Sequence, residues 1–176
     1  MRLNDMITAE RIINGDVRAF EALINTHKIR VFNYCLGFVA DHYIAEDLAQ
    51  EVFIKVYRNI GSYDWKKAAL ATWIFRIARN TCLNHVRDNI ANHSEILDTN
   101  MVASSARDQT NLENRIMLLQ AFAKLPAADR DLVVLKDYLG FGYHEVGRIL
   151  NIPTGTVKSR LHSIRARLRA ILGDIQ

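Results

Sequence analysis

The chain has 176 residues, of which 49% are apolar, and it carries a formal net charge of +4. That apolar fraction is enough to form hydrophobic cores and excludes an intrinsically disordered chain. No apolar run approaches the roughly 20 residues that a membrane span requires, and residues 1–9 lack the basic start and apolar stretch of a signal peptide. We therefore expect a cytoplasmic protein that does not insert into a membrane.

The first half of the chain has the periodicity of amphipathic helices and lacks the alternation of strands. Residues 19–39 and 44–60 predict two helices, separated by a break at Asp41 and His42. A turn is predicted at residues 61–64. Thr72 then has the chemistry of an N-cap and is expected to begin a third helix that ends near Arg87.

Apolar periodicity disappears between residues 88 and 109, which are rich in Asn, Ser, Asp and Ala. Because a structureless stretch of this length is unusual inside a compact domain, it favours an interdomain linker. The predicted fold is all-α, with two small helical domains joined by a flexible linker. We assign residues 1–88 to the first domain, 89–111 to the linker and 112–176 to the second domain.

The second domain is predicted to contain four helices, at residues 112–124, 127–138, 143–150 and 153–172. Gly140 and Gly142 mark one turn, and Asn151 and Ile152 mark the next, with Pro153 expected at the first position of the last helix. The 4-3-4 spacing of four apolar residues predicts that they form the buried face of this last helix: Val157, Leu161, Ile164 and Leu168.

A short helix, a tight turn and a basic second helix are typical of a helix-turn-helix DNA-binding module, which we place at residues 132–172. Charge supports contact with a polyanion at two places. Residues 65–88 hold five Lys and Arg against one acidic residue, and residues 143–169 hold six against one. Charge alone leaves open that both segments are solvated helix faces. Gly155 is expected to let the last helix pack closely against the preceding one.

Three groups of residues, in this order along the chain, resemble motifs of one family. Residues 45–57 (AEDLAQEVFIKVY) and 72–80 (TWIFRIARN) resemble the core-polymerase-binding and −10-reading helices of extracytoplasmic-function sigma factors. Residues 141–146 and 152–161 resemble the −35-reading helix-turn-helix of the same alternative sigma factors, which belong to the sigma-70 family. The resemblance covers residues 10–87 and 112–172. It implies an alternative sigma factor that binds core RNA polymerase, directs it to promoters and helps to melt them.

The resemblance also implies partners and sites. The partners are core RNA polymerase, promoter DNA as a −35 duplex and a −10 single strand, and an anti-sigma factor, which in many relatives holds the protein at the membrane. Residues implied in binding core polymerase are Asp47, Gln50, Glu51, Phe53, Ile54 and Lys55. Residues implied in binding the −10 element are Tyr63, Lys66, Lys67, Arg76, Asn80, Asn84 and Arg87. Residues implied in binding the −35 element are Thr156, Lys158, Ser159, Arg160, His162, Ser163 and Arg165.

Two departures from the family pattern affect these assignments. The loop at residues 63–70 differs in length and chemistry from that of many relatives, so the base that it captures is open. Ser163 stands where many relatives have Arg, which makes Lys158, Ser159 and His162 the expected base readers. Arg160 and Arg165 are then expected to contact phosphates.

Two other classes of protein compete with this interpretation. One is a two-domain helix-turn-helix regulator that does not associate with core polymerase; its response-regulator form requires an α/β receiver whose strands are missing here. The other is an enzyme, for which His42 and Glu46, four residues apart, are a weak metal-ligand pair. We expect no catalytic residue, cofactor, metal site or small-molecule substrate. The cysteines, Cys35 and Cys82, match no metal or redox spacing and are expected to be buried thiols.

Overall fold

The computed structural model describes residues 2–39, 41–92 and 125–173. We call the described residues up to Asn92 unit 1 and those from Leu125 onward unit 2. Within these ranges the chain forms helices and turns and no strand, which confirms the predicted all-α class. No helix in the described ranges is long and apolar enough to cross a membrane. The predicted helix at residues 112–124 and most of the predicted linker lie outside the described residues.

Unit 1 contains four helices: α1 (Arg2–Ile13), α2 (Val17–Val39), α3 (His42–Asn59) and α4 (Leu70–Asn92). The predicted positions of α2 and α3 are confirmed to within two residues. The helix α1 was not predicted, and its residues show why. Leu3, Ile7 and Ile13 are exposed while Ala9 and Ile12 are buried, so its apolar residues do not form one continuous stripe.

The predicted break between α2 and α3 is confirmed, and Asp41 explains it. Its backbone is extended, and its side chain accepts a hydrogen bond from the backbone N–H of Ile44 at 2.9 Å. An aspartate in this position satisfies one of the donors that the first turn of a helix leaves unpaired. Asp41 is therefore the N-cap of α3.

The predicted role of Thr72 as N-cap is wrong. The helix α4 begins two residues earlier, and the carboxylate of Asp5, in α1, accepts a hydrogen bond from the backbone N–H of Leu70 at 3.0 Å. Thr72 is buried inside the helix, and its hydroxyl has no hydrogen-bond partner among the described residues. A cap 65 residues distant in sequence carries no local signal. The helix also continues past the predicted end at Arg87 to Asn92.

The core of unit 1 lies between α2, α3 and α4. Tyr34 and Phe75, both almost completely buried, meet edge to face with ring centroids 5.7 Å apart. Such an arrangement places the positive edge of one ring against the negative face of the other. The fully buried aliphatic residues of this core include Val31, Val52, Val56 and Ile74. Cys35 and Cys82 are buried in the same core, as predicted.

Unit 2 contains α5 (Ala127–Val133), which continues as a π-helical segment (Val134–Tyr138), α6 (Tyr143–Leu150) and α7 (Thr154–Gly173). The predicted helix at residues 127–138 is confirmed in extent. Its second half is wider than an α-helix, since the N–H of Leu139 donates to the carbonyl of Val134, five residues earlier, at 2.8 Å. Both predicted turns are confirmed: Gly140 and Asn151 have positive φ angles of 74° and 57°.

The turn between α6 and α7 depends on Gly147. A β-carbon built on Gly147 would lie 2.8 Å from the carbonyl oxygen of Ile152, a distance that side chains essentially never adopt. The backbone N–H of Ile152 in turn donates to the carbonyl of Gly147 at 2.9 Å. The prediction that Gly155 allows close packing is wrong, because nothing lies within 4 Å of a β-carbon there. Pro153 precedes α7 by one residue, with its carbonyl accepting from the N–H of Val157.

The predicted buried face of α7 is confirmed for Val157, Leu161 and Ile164, while Leu168 is half-buried. They belong to a core that α5, the π-helical segment and α6 complete. The other fully buried residues of this core are Leu132, Leu135 and Val146. The two helices of the helix-turn-helix therefore pack on an apolar core, and the opposite side of α7 is exposed.

Candidate protein and nucleic-acid interfaces

The helix α3 offers an exposed row of mixed polar and apolar residues. Asp47, Gln50 and Ile54, spaced three and four residues apart, are exposed, and the side chain of Ile54 is 50% accessible. Tyr43, four residues before Asp47, extends the row and is 80% exposed. Sequence reasoning missed Tyr43, although its spacing from Asp47 was a usable signal. An exposed tyrosine and isoleucine among polar groups are the composition of a protein-binding surface.

Two residues assigned to the same surface are engaged inside unit 1. Phe53 is 8% exposed and belongs to the core, so its ring is not presented to a partner. The ammonium group of Lys55 lies 2.6 Å from a carboxylate oxygen of Glu51 and donates to the hydroxyl of Thr81, in α4, at 3.1 Å. Lys55 therefore connects α3 to α4. The exposed part of the predicted surface is Asp47, Gln50, Glu51 and Ile54, of which Glu51 is already paired with Lys55.

The helix α4 carries an exposed row of cations and amides. All four members of the row predicted from sequence are exposed and follow 4-4-3 spacing, which places them on one face: Arg76, Asn80, Asn84 and Arg87. The buried face of the same helix holds Ile74, Phe75 and Ala78. Guanidinium and amide groups in a row donate to phosphates and to base edges, so this face has the chemistry to bind a nucleic-acid strand.

The loop before α4 is closed by Tyr63. Its hydroxyl donates to the carbonyl of Ala68 at 3.0 Å, and its ring lies against that of Trp73 with centroids 5.5 Å apart. Trp73 is half-buried, whereas Phe75 is in the core. Both the polar and the apolar part of Tyr63 thus hold the loop together, which makes Tyr63 a support of the loop in addition to its predicted role.

Asp64 shapes the same loop electrostatically. It accepts a hydrogen bond from the backbone N–H of Lys66 at 2.9 Å and lies 3.4 Å from the ammonium group of Lys67. The hydrogen bond from the Lys66 amide is the main reason why the pKa of Asp64 is below its usual value. Lys66 and Lys67 are exposed, and the Lys66 ammonium lies 5.7 Å from the centre of the Trp65 ring. The loop therefore presents two cations beside a half-buried indole.

Four of the residues predicted to bind the −35 element form an exposed face on α7. Lys158, Ser159, His162 and Ser163 are exposed on the side opposite Val157, Leu161 and Ile164. The Ser159 hydroxyl donates to the carbonyl of Thr156 at 3.2 Å. One lysine, one histidine and two hydroxyls offer hydrogen bonds to base edges with little bulk, as a helix in the major groove requires.

The arginines of α7 are held by acidic residues of unit 2. Arg160 lies 2.6 Å from one carboxylate oxygen of Asp129 and Arg167 lies 3.5 Å from the other. Asp129 is in the first turn of α5 and is only 8% exposed. Since a buried carboxylate is costly unless it is paired, these two arginines stabilise the contact between α5 and α7. Arg160 was predicted to contact phosphate, and in unit 2 its guanidinium is engaged with Asp129.

Arg165 is bound to an acidic side chain, and Lys158 lies over an aromatic ring. Arg165 is hydrogen-bonded to Asp137, and this bond is the main cause that raises the pKa of Arg165 above its usual value. The Tyr143 ring lies below two ammonium groups, that of Lys136 at 4.8 Å and that of Lys158 at 5.7 Å from its centre. Lys136, which was not predicted, thus adds a cation next to the exposed face of α7.

His42 and Glu46, the weak candidate for a metal pair, lie 4.0 Å apart on the surface of α3. Among the described residues no group of three or more His, Cys, Asp or Glu side chains could hold a metal ion. The pair has the geometry of an exposed i,i+4 contact, which contributes little to stability.

Comparison with protein families finds two matches. Residues 23–90 match the model of sigma-70 region 2, and residues 115–168 match that of sigma-70 region 4. The first match covers α3, the loop and almost all of α4. The second covers α5, α6 and α7 as far as residue 168, including the exposed face of α7.

Relatives match over nearly the full length of the chain. The chain is 32% identical to the ECF RNA polymerase sigma factor SigW of Bacillus subtilis, over 94% of this chain and 95% of the relative. It is 30% identical to the RNA polymerase sigma-H factor of Pseudomonas aeruginosa, over 92% and 90% of the two chains.

Solved structures confirm the fold. The structure of CnrH in complex with the cytosolic domain of CnrY is similar to this chain, with a TM-score of 0.75, 22% identity and coverage of 98% of this chain and 99% of CnrH. The sigma factor RpoE of Bartonella quintana, in complex with the anti-sigma factor NepR, gives a TM-score of 0.74 and 23% identity, covering 88% of this chain and 96% of RpoE.

Proposed function

This chain belongs to the extracytoplasmic-function sigma factors, the alternative sigma factors that direct transcription by RNA polymerase, and we propose a role for each of its exposed surfaces. The row on α3 binds core polymerase, the loop and α4 bind the −10 element, and α7 binds the −35 element. One observation supports this division best: three exposed surfaces of different chemistry each fall on a segment that resembles the corresponding sigma motif. Sigma factors are not enzymes, and we assign the chain no catalytic step.

The core-polymerase surface consists of Tyr43, Asp47, Gln50, Glu51 and Ile54 on α3. The tyrosine and isoleucine supply apolar area, while Asp47 and Gln50 favour a partner with complementary cations and donors; the Glu51 carboxylate is already paired with Lys55. By family resemblance this partner is the coiled coil of the largest polymerase subunit. Phe53 is buried in the core of unit 1, so its proposed contribution is to hold α3 in place.

The −10 surface consists of the loop cations and the row on α4. Strand separation exposes bases, which need stacking surfaces and nearby cations to stay out of the duplex. Lys66 and Lys67 supply charge at the loop, and Asn80 and Asn84 supply amides along α4. Tyr63 is proposed to capture a base of the non-template strand, and its contact with Ala68 holds the loop in the shape that this requires.

Two variants of Tyr63 separate these roles. Tyr63→Ala should impair open-complex formation on duplex DNA more than on a pre-melted template, since it removes the ring that stabilises the flipped base. Tyr63→Phe removes only the hydroxyl, and the loss of its hydrogen bond to Ala68, about 1 kcal/mol, should loosen the loop and lower the open-complex equilibrium by at most about fivefold. Equal impairment of both templates by Tyr63→Ala would remove Tyr63 from the base-capture role.

The −35 surface is the exposed face of α7, with Lys158, Ser159 and His162 as the proposed base readers. Ser163, where many relatives have Arg, leaves this face with few cations. Thr156 is half-buried and lies at the N-terminal end of the helix, from which the recognition helix of a helix-turn-helix enters the major groove. Lys136 is proposed as a neighbouring phosphate contact.

We propose that residues 1–88 and 112–176 act as separate domains joined by a linker. The helix α4 extends to Asn92, so the linker begins no earlier than residue 93, four residues after the predicted start. A linker would let the two DNA-binding surfaces reach promoter elements that are separated along the duplex. It would also let a regulator cover both surfaces together.

That regulator is proposed to be an anti-sigma factor. A structurally similar sigma factor, RpoE of Bartonella quintana, was solved in complex with an anti-sigma factor. We propose that this chain acts in the cytoplasm under the control of such a partner, and that a membrane-anchored partner would hold it at the membrane until a stress signal releases it. Co-purification of the chain with a protein that blocks core-polymerase binding would support this regulation.

The decisive experiment is run-off transcription with core polymerase on a promoter library, with and without the full chain. We expect initiation at a defined subset of promoters only when the chain is present. If no template gains initiation while the chain still binds duplex DNA, the second class of function, a helix-turn-helix regulator that acts without core polymerase, is favoured instead. Asp47→Lys is a matched variant that should lose polymerase binding and keep DNA binding.

A further inference from the structure

Cys35 and Cys82 are 47 residues apart in sequence and lie side by side in the core of unit 1. The thiol of Cys82 donates a hydrogen bond to the sulfur of Cys35, with 3.7 Å between the sulfur atoms. Cys35 is in α2 and Cys82 is in α4, and neither is exposed. The sulfur atoms are therefore in van der Waals contact across the interface between two helices.

We propose that Cys35 and Cys82 are a modification site, at which a disulfide forms and fastens α4 to α2 without unfolding unit 1. A disulfide requires its two sulfur atoms to approach to about 2.05 Å, which is a movement of less than 2 Å from their present separation. Small side-chain rotations of both cysteines supply such a movement more easily than displacement of packed helices.

The disulfide leaves the proposed −10 surface accessible. Along an α-helix each residue is rotated by about 100°, so Cys82 points about 200° away from both Asn80 and Asn84. The exposed row and the buried thiol are consequently on opposite sides of α4, in agreement with their accessibility. Oxidation would fix the position of the −10-reading helix and would not cover it.

The reaction proceeds by exchange with a small disulfide such as oxidised glutathione. The Cys82 or Cys35 thiolate attacks one sulfur of glutathione disulfide, forms a mixed disulfide and releases one glutathione thiol. The second cysteine thiolate then attacks the protein sulfur of the mixed disulfide and releases the other glutathione. Two electrons pass from the cysteines to glutathione, and the two cysteine protons end on the released thiols.

Burial sets the rate of this reaction and not its equilibrium. Because both thiols are inaccessible, an oxidant reaches them only when α2 and α4 separate transiently or while the chain is folding. We expect slow oxidation of the folded chain and faster oxidation in mild denaturant, with the same product.

The test is to equilibrate the full chain in glutathione redox buffers, in native conditions and in concentrated urea, and to alkylate the remaining thiols. We expect the equilibrium constant for forming the internal disulfide to be about 100-fold larger in native buffer than in urea. A native disulfide typically stabilises the folded chain by the free energy that corresponds to this ratio. A peptide that links the segments around Cys35 and Cys82, lighter by two hydrogens, identifies the product. Melting should show that unit 1 unfolds several degrees higher in the oxidised than in the reduced chain.

A matched control moves one thiol to the next residue of α2. In the double variant Cys35→Ser/Leu36→Cys the new thiol is rotated by about 100° around the helix, and we expect no native preference for a disulfide with Cys82. Equal constants in native buffer and urea, a disulfide that lowers the melting temperature, or disulfides only between two chains would each overturn the proposal. An equal native preference in the control variant would overturn it as well.

Discussion

In α4 the proposed DNA-binding row, Arg76 to Arg87, faces outward, and Arg87 contacts only an equally exposed neighbour, Asp88, at 3.5 Å. In α7 three of the five cations are held by acidic side chains of unit 2. The two basic segments therefore look alike in a count of charges and differ in what the charges do. Arg76 and Arg87 of α4 are exposed to a polyanion, while most of the cations of α7 are part of the fold of the helix-turn-helix.

The described helices of the two units also differ in length. In unit 1 the long helices α2, α3 and α4 pack along their lengths and bury several large side chains. In the described part of unit 2 the helices before α7 are short, and a charged cluster around Asp129 supplements the apolar contacts between α5 and α7. An arginine that contributes to folding is then a poor candidate for a pure DNA contact, whatever its position on the helix.

The largest effect is expected for Arg160→Met, which keeps the apolar stem and removes the charge. The buried Asp129 carboxylate would then retain only the longer contact with Arg167. Removal of one partner from a buried pair costs about 3–5 kcal/mol, and since Arg160 is about one-third exposed and Arg167 remains, we expect about 2–3 kcal/mol. Hydrogen exchange of the α7 amides in the full chain measures this loss.

The control for this prediction is Arg169→Met, an exposed cation of the same helix, which should change stability by less than about 0.5 kcal/mol. The double variant Asp129→Ala/Arg160→Met should be more stable than Arg160→Met alone, because it removes the unpaired carboxylate. If the double variant is the less stable of the two, Asp129 stabilises unit 2 through contacts other than that with Arg160, such as the one with Arg167.

The second prediction concerns the turn of the helix-turn-helix. Gly147→Ala should destabilise unit 2 by about 1–3 kcal/mol, since its β-carbon would meet the Ile152 carbonyl at 2.8 Å and force the turn to open. Gly155→Ala, in open space within α7, should stabilise the helix by up to about 1 kcal/mol. Chemical denaturation of both variants measures the difference, and destabilisation of equal size would show that the turn is not closely packed at Gly147.

These two glycines show what the sequence predicts and what it does not. The spacing of Val157, Leu161 and Ile164 identifies the buried face of α7, because periodicity is a local property. The glycine that must remain glycine is determined by the approach of a carbonyl from beyond the turn, and sequence reasoning chose Gly155 instead of Gly147. The wrong choice came from position along one helix, without knowledge of the neighbouring backbone.

The same limit explains the other differences. The capping of α4 by Asp5 and the pairing of Arg160 with Asp129 join residues that are far apart in sequence, so no local pattern shows them. The exposure of the proposed base-reading residues of α7 could be predicted from the sequence, because they lie away from the apolar stripe of an amphipathic helix. Phe53 was assigned to a surface by resemblance to a motif, although its helical spacing from Val52 and Val56 placed it on the same apolar side.

The third prediction compares Lys158 with Arg165. Lys158→Ala should shift the preferred −35 sequence by about 1 kcal/mol at one base pair, because its ammonium is exposed and only weakly held over the Tyr143 ring. Arg165→Ala should weaken binding to all −35 sequences alike. It should also reduce the slope of log K against log salt concentration by less than the value of about 0.9 that one full phosphate contact gives, because Arg165 is already bound to Asp137. Binding to a −35 library at several salt concentrations measures both quantities.

A uniform effect of Lys158→Ala on every −35 sequence would remove that residue from the base-reading set. A full-sized change in the salt slope for Arg165→Ala would show that Arg165 leaves Asp137 when DNA binds. In that case only Arg160 and Arg167, the two arginines bound to Asp129, would still distinguish the cations of α7 from those of α4.

The smallest predicted effect is a pH dependence of stability that is expected in unit 1 and not in unit 2. His27 of unit 1 lies beside a cavity of about 230 Å³ between α1 and α2, and its Nδ1 atom is buried with no hydrogen-bond partner among the described residues. Burial is the main cause that lowers the pKa of His27, with the nearby Arg30 adding to it and Asp5 opposing it. In the described part of unit 2 both histidines, His144 and His162, are exposed.

A histidine whose pKa is lower in the folded state is protonated first in the unfolded chain. The unfolded state then binds more protons just below the ordinary histidine pKa of about 6.5, so unit 1 should lose stability as the pH falls through that value and keep it above. One such group changes the unfolding free energy by no more than about 1.4 kcal/mol per pH unit. Hydrogen exchange at pH 7 and pH 5.5, with changes in intrinsic exchange rates corrected, should show this loss in α2 and not in α7, and His27→Gln should abolish it. A loss of equal size in both units would assign the pH dependence to groups other than His27.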